Sequence, residues 1–200
     1  MKSKTILRLA TSAEQLASLE RLQAAFAEVC SALGPVVKET RCWNRVALHH
    51  LTYHKLRERF PDLGSQMICN AIYSVSRSAR AIFQNRASPW SIEKRLEKPL
   101  PILRFSPSAP VYFDRHTVSL RQGKLSMYTL DGRLHFDIGL TPVDEQRFRE
   151  EKLKEIVLSR DAKGFFLVFS FGESEEKPGK ASELPEYVLV IEPEPETLAA

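Results

Sequence analysis

At residue 102 the spacing of apolar residues changes from the three-and-four alternation of helices to the strict alternation of strands, and that switch divides the chain. A block of helices followed by a block of short strands predicts an α+β fold, with the helices segregated from an antiparallel sheet. At 200 residues and 43% apolar content, the chain can bury a core as one compact domain or as a small two-lobed one.

The helical block is preceded by a brief alternation over 5–9, which predicts a strand that must find its partners elsewhere. Ser12 and Gln15 then form a capping box for a first helix whose apolar face is Leu16, Leu19, Leu22, Phe26, Val29 and Leu33, and Gly34-Pro35 is expected to end it. A second helix is predicted over 44–60, stopped by Pro61. Its inner face reads as Trp43, Val46, Ala47, Leu51, Tyr53, Leu56 and Phe60, leaving an outer polar strip of Arg45, Thr52, Lys55 and Arg59. The short link 61–64 predicts an antiparallel hairpin into a third helix, with Ser65 as its cap.

That third helix, over 65–84, carries two stripes. Ile68, Ile72, Val75, Ala79 and Ile82 make one continuous apolar face. Gln66, Asn70, Tyr73, Arg77, Arg80 and Gln84 make the opposite one, and none of them is acidic. Amides, a phenol ring and guanidinium groups are the set that binds phosphates and stacks on bases, although an idle basic surface explains the stripe equally well.

Proline breaks make 87–101 a linker with room for one helical turn, and the period of two takes over from 102. Strands are predicted over 102–105, 111–114, 117–120, 124–130, 133–138, 155–160 and 164–171. Asp131-Gly132 predicts a type I′ hairpin, and Gln122-Gly123 and the Gly at 164 mark further turns. Closely spaced short strands favour a small antiparallel β-barrel. The charged stretch 143–154 reads as a short helix or a lid-like loop, and 173–200 as an acidic, flexible tail in which 186–191 could form one more strand.

The formal charge of +4 conceals a gradient. Residues 41–104 hold twelve Lys and Arg against four acids, a net of +8, whereas beyond Leu167 only Lys177 and Lys180 offset eight glutamates. A basic middle predicts a polyanionic partner. With no run long and apolar enough for a bilayer, no membrane role is expected, and the chain reads as cytoplasmic. Cys30, Cys42 and Cys69 have no zinc or disulfide spacing and are expected to be core thiols. His50 and His54 stand four apart, but a third ligand is missing, so neither a metal nor another cofactor is expected.

The run YHKLRERFPDLGSQM (53–67), the basic helix after it, VYFDR (111–115) and LSMYTLDGRL (125–134) together resemble the N-terminal half of TnpB-type proteins, the transposon-encoded RNA-guided nucleases related to compact type V CRISPR effectors. The resemblance spans 6–171. It implies a wedge-like β-barrel, 1–10 and 101–172, interrupted by a helical lobe of about three helices at 11–100, with both parts holding guide RNA or an RNA–DNA heteroduplex. Family nucleases continue into a RuvC domain whose carboxylates hold two metal ions. Here Glu192 alone stands near where the first carboxylate would fall, so no nuclease activity is expected.

The expected function is therefore a non-catalytic RNA-binding module, with Arg45, Lys55, Arg59, Asn70, Tyr73, Arg77, Arg80, Gln84, Arg115 and Arg133 as its contacts. Arg115 and Arg133 have the competing role of pairing with Asp114, Asp131 or Asp137 across strands. The alternative is a protein-interaction subunit that completes or regulates a nuclease supplied in trans, with 188–191 adding to a partner's sheet edge.

Overall fold

The computed structural model describes residues 3–172, so the expected acidic tail and its strand at 186–191 lie outside the described residues. The fold is α+β. Strand β1 (Ser3–Arg8) is followed by three helices, α1 (Ala13–Thr40), α2 (Arg45–Arg59) and α3 (Ser65–Ala79). Then come β2 (Val111–Phe113), β3 (Val118–Arg121), β4 (Lys124–Thr129), β5 (Gly132–Asp137), α4 (Pro142–Glu150), β6 (Leu153–Asp161) and β7 (Gly164–Phe171).

The first strand finds its partner at the far end of the described chain. β1 runs antiparallel to β7, with Leu7 opposite Leu167, in a four-stranded sheet ordered β1-β7-β6-β2. The other three strands form a separate sheet, β3-β4-β5. Among the described residues no ladder joins the two sheets into a closed barrel. Leu125, Met127, Phe136, Ile156, Leu158, Leu167 and Phe169 nevertheless share one apolar core with the inward faces of the helices.

Two departures from the predicted elements have one cause. Helix α1 does not end at Gly34-Pro35 but runs on to Thr40, where Arg41 closes it in the left-handed region at φ 52°. The segment 102–105 does not join a sheet as a multi-residue strand. It lies along α1, where a Cβ on Gly34 would overlap the Leu103 carbonyl oxygen, so this glycine permits close approach rather than stopping the helix. Ser31 accepts the Phe105 amide at 2.9 Å, and the Gln23 amide donates to the Ser108 and Ala109 carbonyls at 2.9 and 3.0 Å. These side chains take over part of the pairing that a neighbouring strand would otherwise supply.

The hairpins fall where the turn residues put them, with one exchange of geometry. The type I′ pair is Gln122-Gly123, both at positive φ (51° and 72°). At Asp131-Gly132 only the glycine has positive φ, 118°, and it is already opposite Thr129 as the first residue of β5. The β6–β7 turn repeats this arrangement, with Gly164 at φ 111° opposite Asp161. The charged stretch after β5 is the helix α4, capped by Thr141 and Asp144, and Phe148 from it packs edge-on against Phe169 at 4.7 Å.

Candidate nucleic-acid interface

Helix α3 occupies the middle of the molecule. Its apolar stripe faces inward as predicted, with Ile68, Ile72, Val75, Ala79 and Ile82 all buried. Its polar stripe faces the four-stranded sheet over much of its length. Asn70 is 7% exposed, its amide against the Met67 sulfur at 3.8 Å. Gln66 donates to Asp114, Tyr73 donates to Glu155 Oε1 at 2.8 Å, and Arg77 forms an ion pair with the same Glu155, whose side chain is 10% exposed. The acids absent from the stripe arrive from the sheet. The helix continues as a π-helical turn, Arg80–Gln84, in which exposed Gln84 accepts the Trp43 indole N–H at 3.4 Å. Arg80 is half-buried and engaged in contacts of its own. The N-cap of α3 is Gly64, without a side-chain bond, and Ser65 is the first helical residue. Gly64 instead offers its amide to the Tyr128 hydroxyl at 2.8 Å, tying the helix start to β4.

Helix α2 presents its faces differently from the prediction. Asn44 caps it, accepting the Val46 and Ala47 amides at 3.0 and 3.1 Å. The packed residues are Leu48, Thr52 and Leu56, whereas Val46 and Leu51 are 64% and 51% exposed. Thr52 therefore leaves the outer strip. Its hydroxyl bonds the Leu48 carbonyl at 2.7 Å, which lets a polar residue sit in a buried face. Arg45, Lys55 and Arg59 remain exposed at the margins of that face. Arg45 lies over the Tyr73 ring at 5.2 Å and Arg59 over Phe60 at 5.2 Å. Tyr73 meets Tyr112 edge-on at 5.7 Å, so Arg45, Tyr73, Arg77 and Glu155 form one continuous ledge where α2, α3 and β6 meet.

The basic middle of the chain is partly spent within the fold. Arg41 donates to the carbonyls of Arg95 and Lys98, Arg57 to that of Leu63, and Lys94 to that of Ser88. Arg95 donates to the Pro99 carbonyl and lies over Trp90, while Arg86 pairs with Glu93. These cations hold the linker and the helix ends, where backbone oxygens lack ladder partners. Among the described residues, Arg45, Lys55 and Arg59 are in no ion pair with an acid.

The two sheet arginines diverge. Arg133 donates from Nε to Ser126 Oγ at 2.7 Å and from its terminal nitrogens to the carbonyls of His116, Thr117 and Ser126. Arg115 is exposed, with a long contact to the Glu151 carbonyl at 3.5 Å. Two of the three aspartates expected to pair with them have other partners: Asp131 takes Arg21 and Ser18, and Asp114 takes Gln66, the His116 and Thr117 amides and the Thr117 hydroxyl. Arg21 holds the Asp131 carboxyl below its ordinary pKa.

The histidines of α2 are arranged as an aromatic row. His49 stacks on Tyr53 at 4.7 Å, His50 meets His49 edge-on, and His54 meets Tyr53 edge-on. Among the described residues no three His, Cys, Asp or Glu side chains gather where they could hold a metal ion. Of the cysteines only Cys30 is buried, and burial pushes its thiol pKa up. Cys69 is half-exposed near the ledge; burial raises its pKa, and the field of Arg45 opposes the rise. No helix among the described residues is long and apolar enough to cross a membrane. No known protein family matches the chain, and no curated protein matches it.

Proposed function

We propose that the protein is a non-catalytic RNA-binding module, related in plan to the wedge and recognition half of TnpB-type proteins, and that the phosphate backbone lies along α2 rather than along α3. The observation that carries this reading is the set of exposed α2 cations without acidic partners among the described residues, Arg45, Lys55 and Arg59, beside the half-exposed ring of Tyr73. Cations engaged by carboxylates or carbonyls must break those bonds before they meet a phosphate. Lys55 need only shed water, and Arg45 and Arg59 need besides only leave an aromatic face, a contact worth about 0.5 to 1 kcal/mol at an exposed site. Tyr73 then serves as a stacking platform for a base, with Arg77 beside it.

The test is RNA recovered with the protein from its native host, bound again at several salt concentrations. Affinity should fall steeply between about 50 and 200 mM salt, and each of the three cations removed should flatten the log–log slope by about 1 or somewhat less. A slope that stays the same in the Arg45→Ala, Lys55→Ala, Arg59→Ala triple variant would sink the assignment to α2. The absence of any salt dependence would sink RNA binding itself.

A further inference from the structure

The outer face of α2 is not a purely charged surface. Val46, His50 and His54 follow one another at intervals of four, turned away from the packed line of Leu48, Thr52 and Leu56. Leu51 stands three residues before His54 and four before Lys55, so it joins this strip to the cationic margin of the helix. Val46 is 64% exposed and Leu51 51%, and both imidazoles are exposed. His50 meets the His49 ring edge-on at 5.9 Å, His54 meets the Tyr53 ring edge-on at 5.5 Å, and the half-buried His49 and Tyr53 stack on each other. Two half-buried rings thus prop two exposed ones. Among the described residues neither His50 nor His54 makes a hydrogen bond or an ion pair, and Glu58, the one acid of α2, stands at the far end of the strip.

We infer that this strip is a base-stacking surface, and that the RNA held along α2 is single-stranded there. The inference rests on the RNA-binding reading and names the form of RNA. A duplex keeps its base faces inside its own stack and offers a protein mainly phosphates and 2′-hydroxyls, for which the cations alone suffice. Val46, Leu51 and the two unbonded imidazoles have no counterpart in it. A single strand presents base faces as well as phosphates, and those faces pack on rings with little regard to sequence, because every base has one. Lys55 and Arg59, beside the strip, hold the backbone while the bases lie across His50 and His54. Three cations in no ion pair with a described acid also favour a polyanion over a protein surface as the occupant.

Two RNA probes of one sequence decide it: a strand of about twelve nucleotides without internal pairing, and its duplex, each titrated at several salt concentrations. The strand should bind at least about tenfold more tightly, although the duplex carries more charge. His50→Ala with His54→Ala should weaken strand binding about tenfold or more, with the log–log salt slope unchanged and the unfolding midpoint little moved. His50→Phe with His54→Phe, which restores the rings without the imidazole nitrogens, should bind within about threefold of the parent protein. Duplex binding as tight as the strand's, an alanine pair with full affinity, or a phenylalanine pair as weak as the alanine pair would each overturn base stacking on this strip. RNA binding along α2 would survive any of these, provided the α2 triple variant still flattens the salt slope. If neither probe binds with a salt-dependent affinity, the RNA reading itself falls, and the inference with it.

Discussion

Helices α2 and α3 are neighbours joined by a short link, and their polar faces have similar chemistry, yet they are used in opposite ways. On α3, Gln66, Tyr73 and Arg77 are bonded to Asp114 and Glu155 from the sheet, and Asn70 is buried. On α2, Arg45, Lys55 and Arg59 stand in solvent. The composition of a stripe tells which bonds its residues are able to make. Which bonds they do make is decided by what lies opposite, here strand residues many positions later in the chain. A helix without acids of its own can have them supplied, and its charge count then overstates what is left for a ligand.

The largest expected effect lies in the cores of the two helices. Ile72→Ala in α3, at 1% exposure, should cost about 2 to 5 kcal/mol in urea unfolding, whereas Leu51→Ala in α2, at 51%, should stay within about 0.5 kcal/mol. Equal losses would mean that α2 is covered on its outer side. Next comes Glu155→Ala, which leaves Tyr73 and Arg77 without their shared acceptor and should cost about 1 to 3 kcal/mol. Its RNA affinity should not fall, because a carboxylate is lost and no cation is. The triple α2 variant should show the reverse pattern, losing affinity while stability moves little. A Glu155→Ala protein that stays fully stable would break the contrast.

The smallest effect concerns an ion pair without burial. Arg8 holds the Asp161 carboxyl at a pKa of about 2, chiefly through the side-chain hydrogen bond. Because that pKa is depressed, the stabilisation is present above the ordinary carboxylate value of about 3.9 and is lost as pH falls toward 2. Arg8→Ala should return Asp161 to the ordinary range in an NMR titration, with only a slight change in unfolding midpoint at neutral pH, since exposed pairs contribute little. A midpoint drop as large as that of Glu155→Ala would erase the distinction between the exposed pair and the enclosed one.

Much of the fold was legible because local pattern and local geometry agree. The alternating runs became β1 to β7 apart from 102–105, and the capping box of Ser12 and Gln15 is present with both of its bonds. The misreadings share a different character. Gly34-Pro35 looked like a helix stop because a glycine's need for space beside Leu103 cannot be seen from its neighbours in sequence. Thr52 looked like surface because the carbonyl that satisfies it belongs to its own helix. Antiparallel short strands suggested closure into a barrel, yet hydrogen-bonded closure depends on pairing that no single run encodes. For the interface, the residue types were readable, but their availability was not. It depended on Glu155 and Asp114, and on linker carbonyls that draw in Arg41, Arg57, Lys94 and Arg95.

The pairing of Leu7 with Leu167 also sets an order of events during synthesis. At about 5 to 20 residues per second, β1 leaves the ribosome on the order of ten seconds before β7 exists to receive it. The three helices, whose contacts with one another are closer in sequence, can assemble in that interval. The nascent chain must therefore carry an unpaired strand, with Lys4 and Arg8 flanking Ile6, and those two charges deter other chains from pairing with it before its partner arrives.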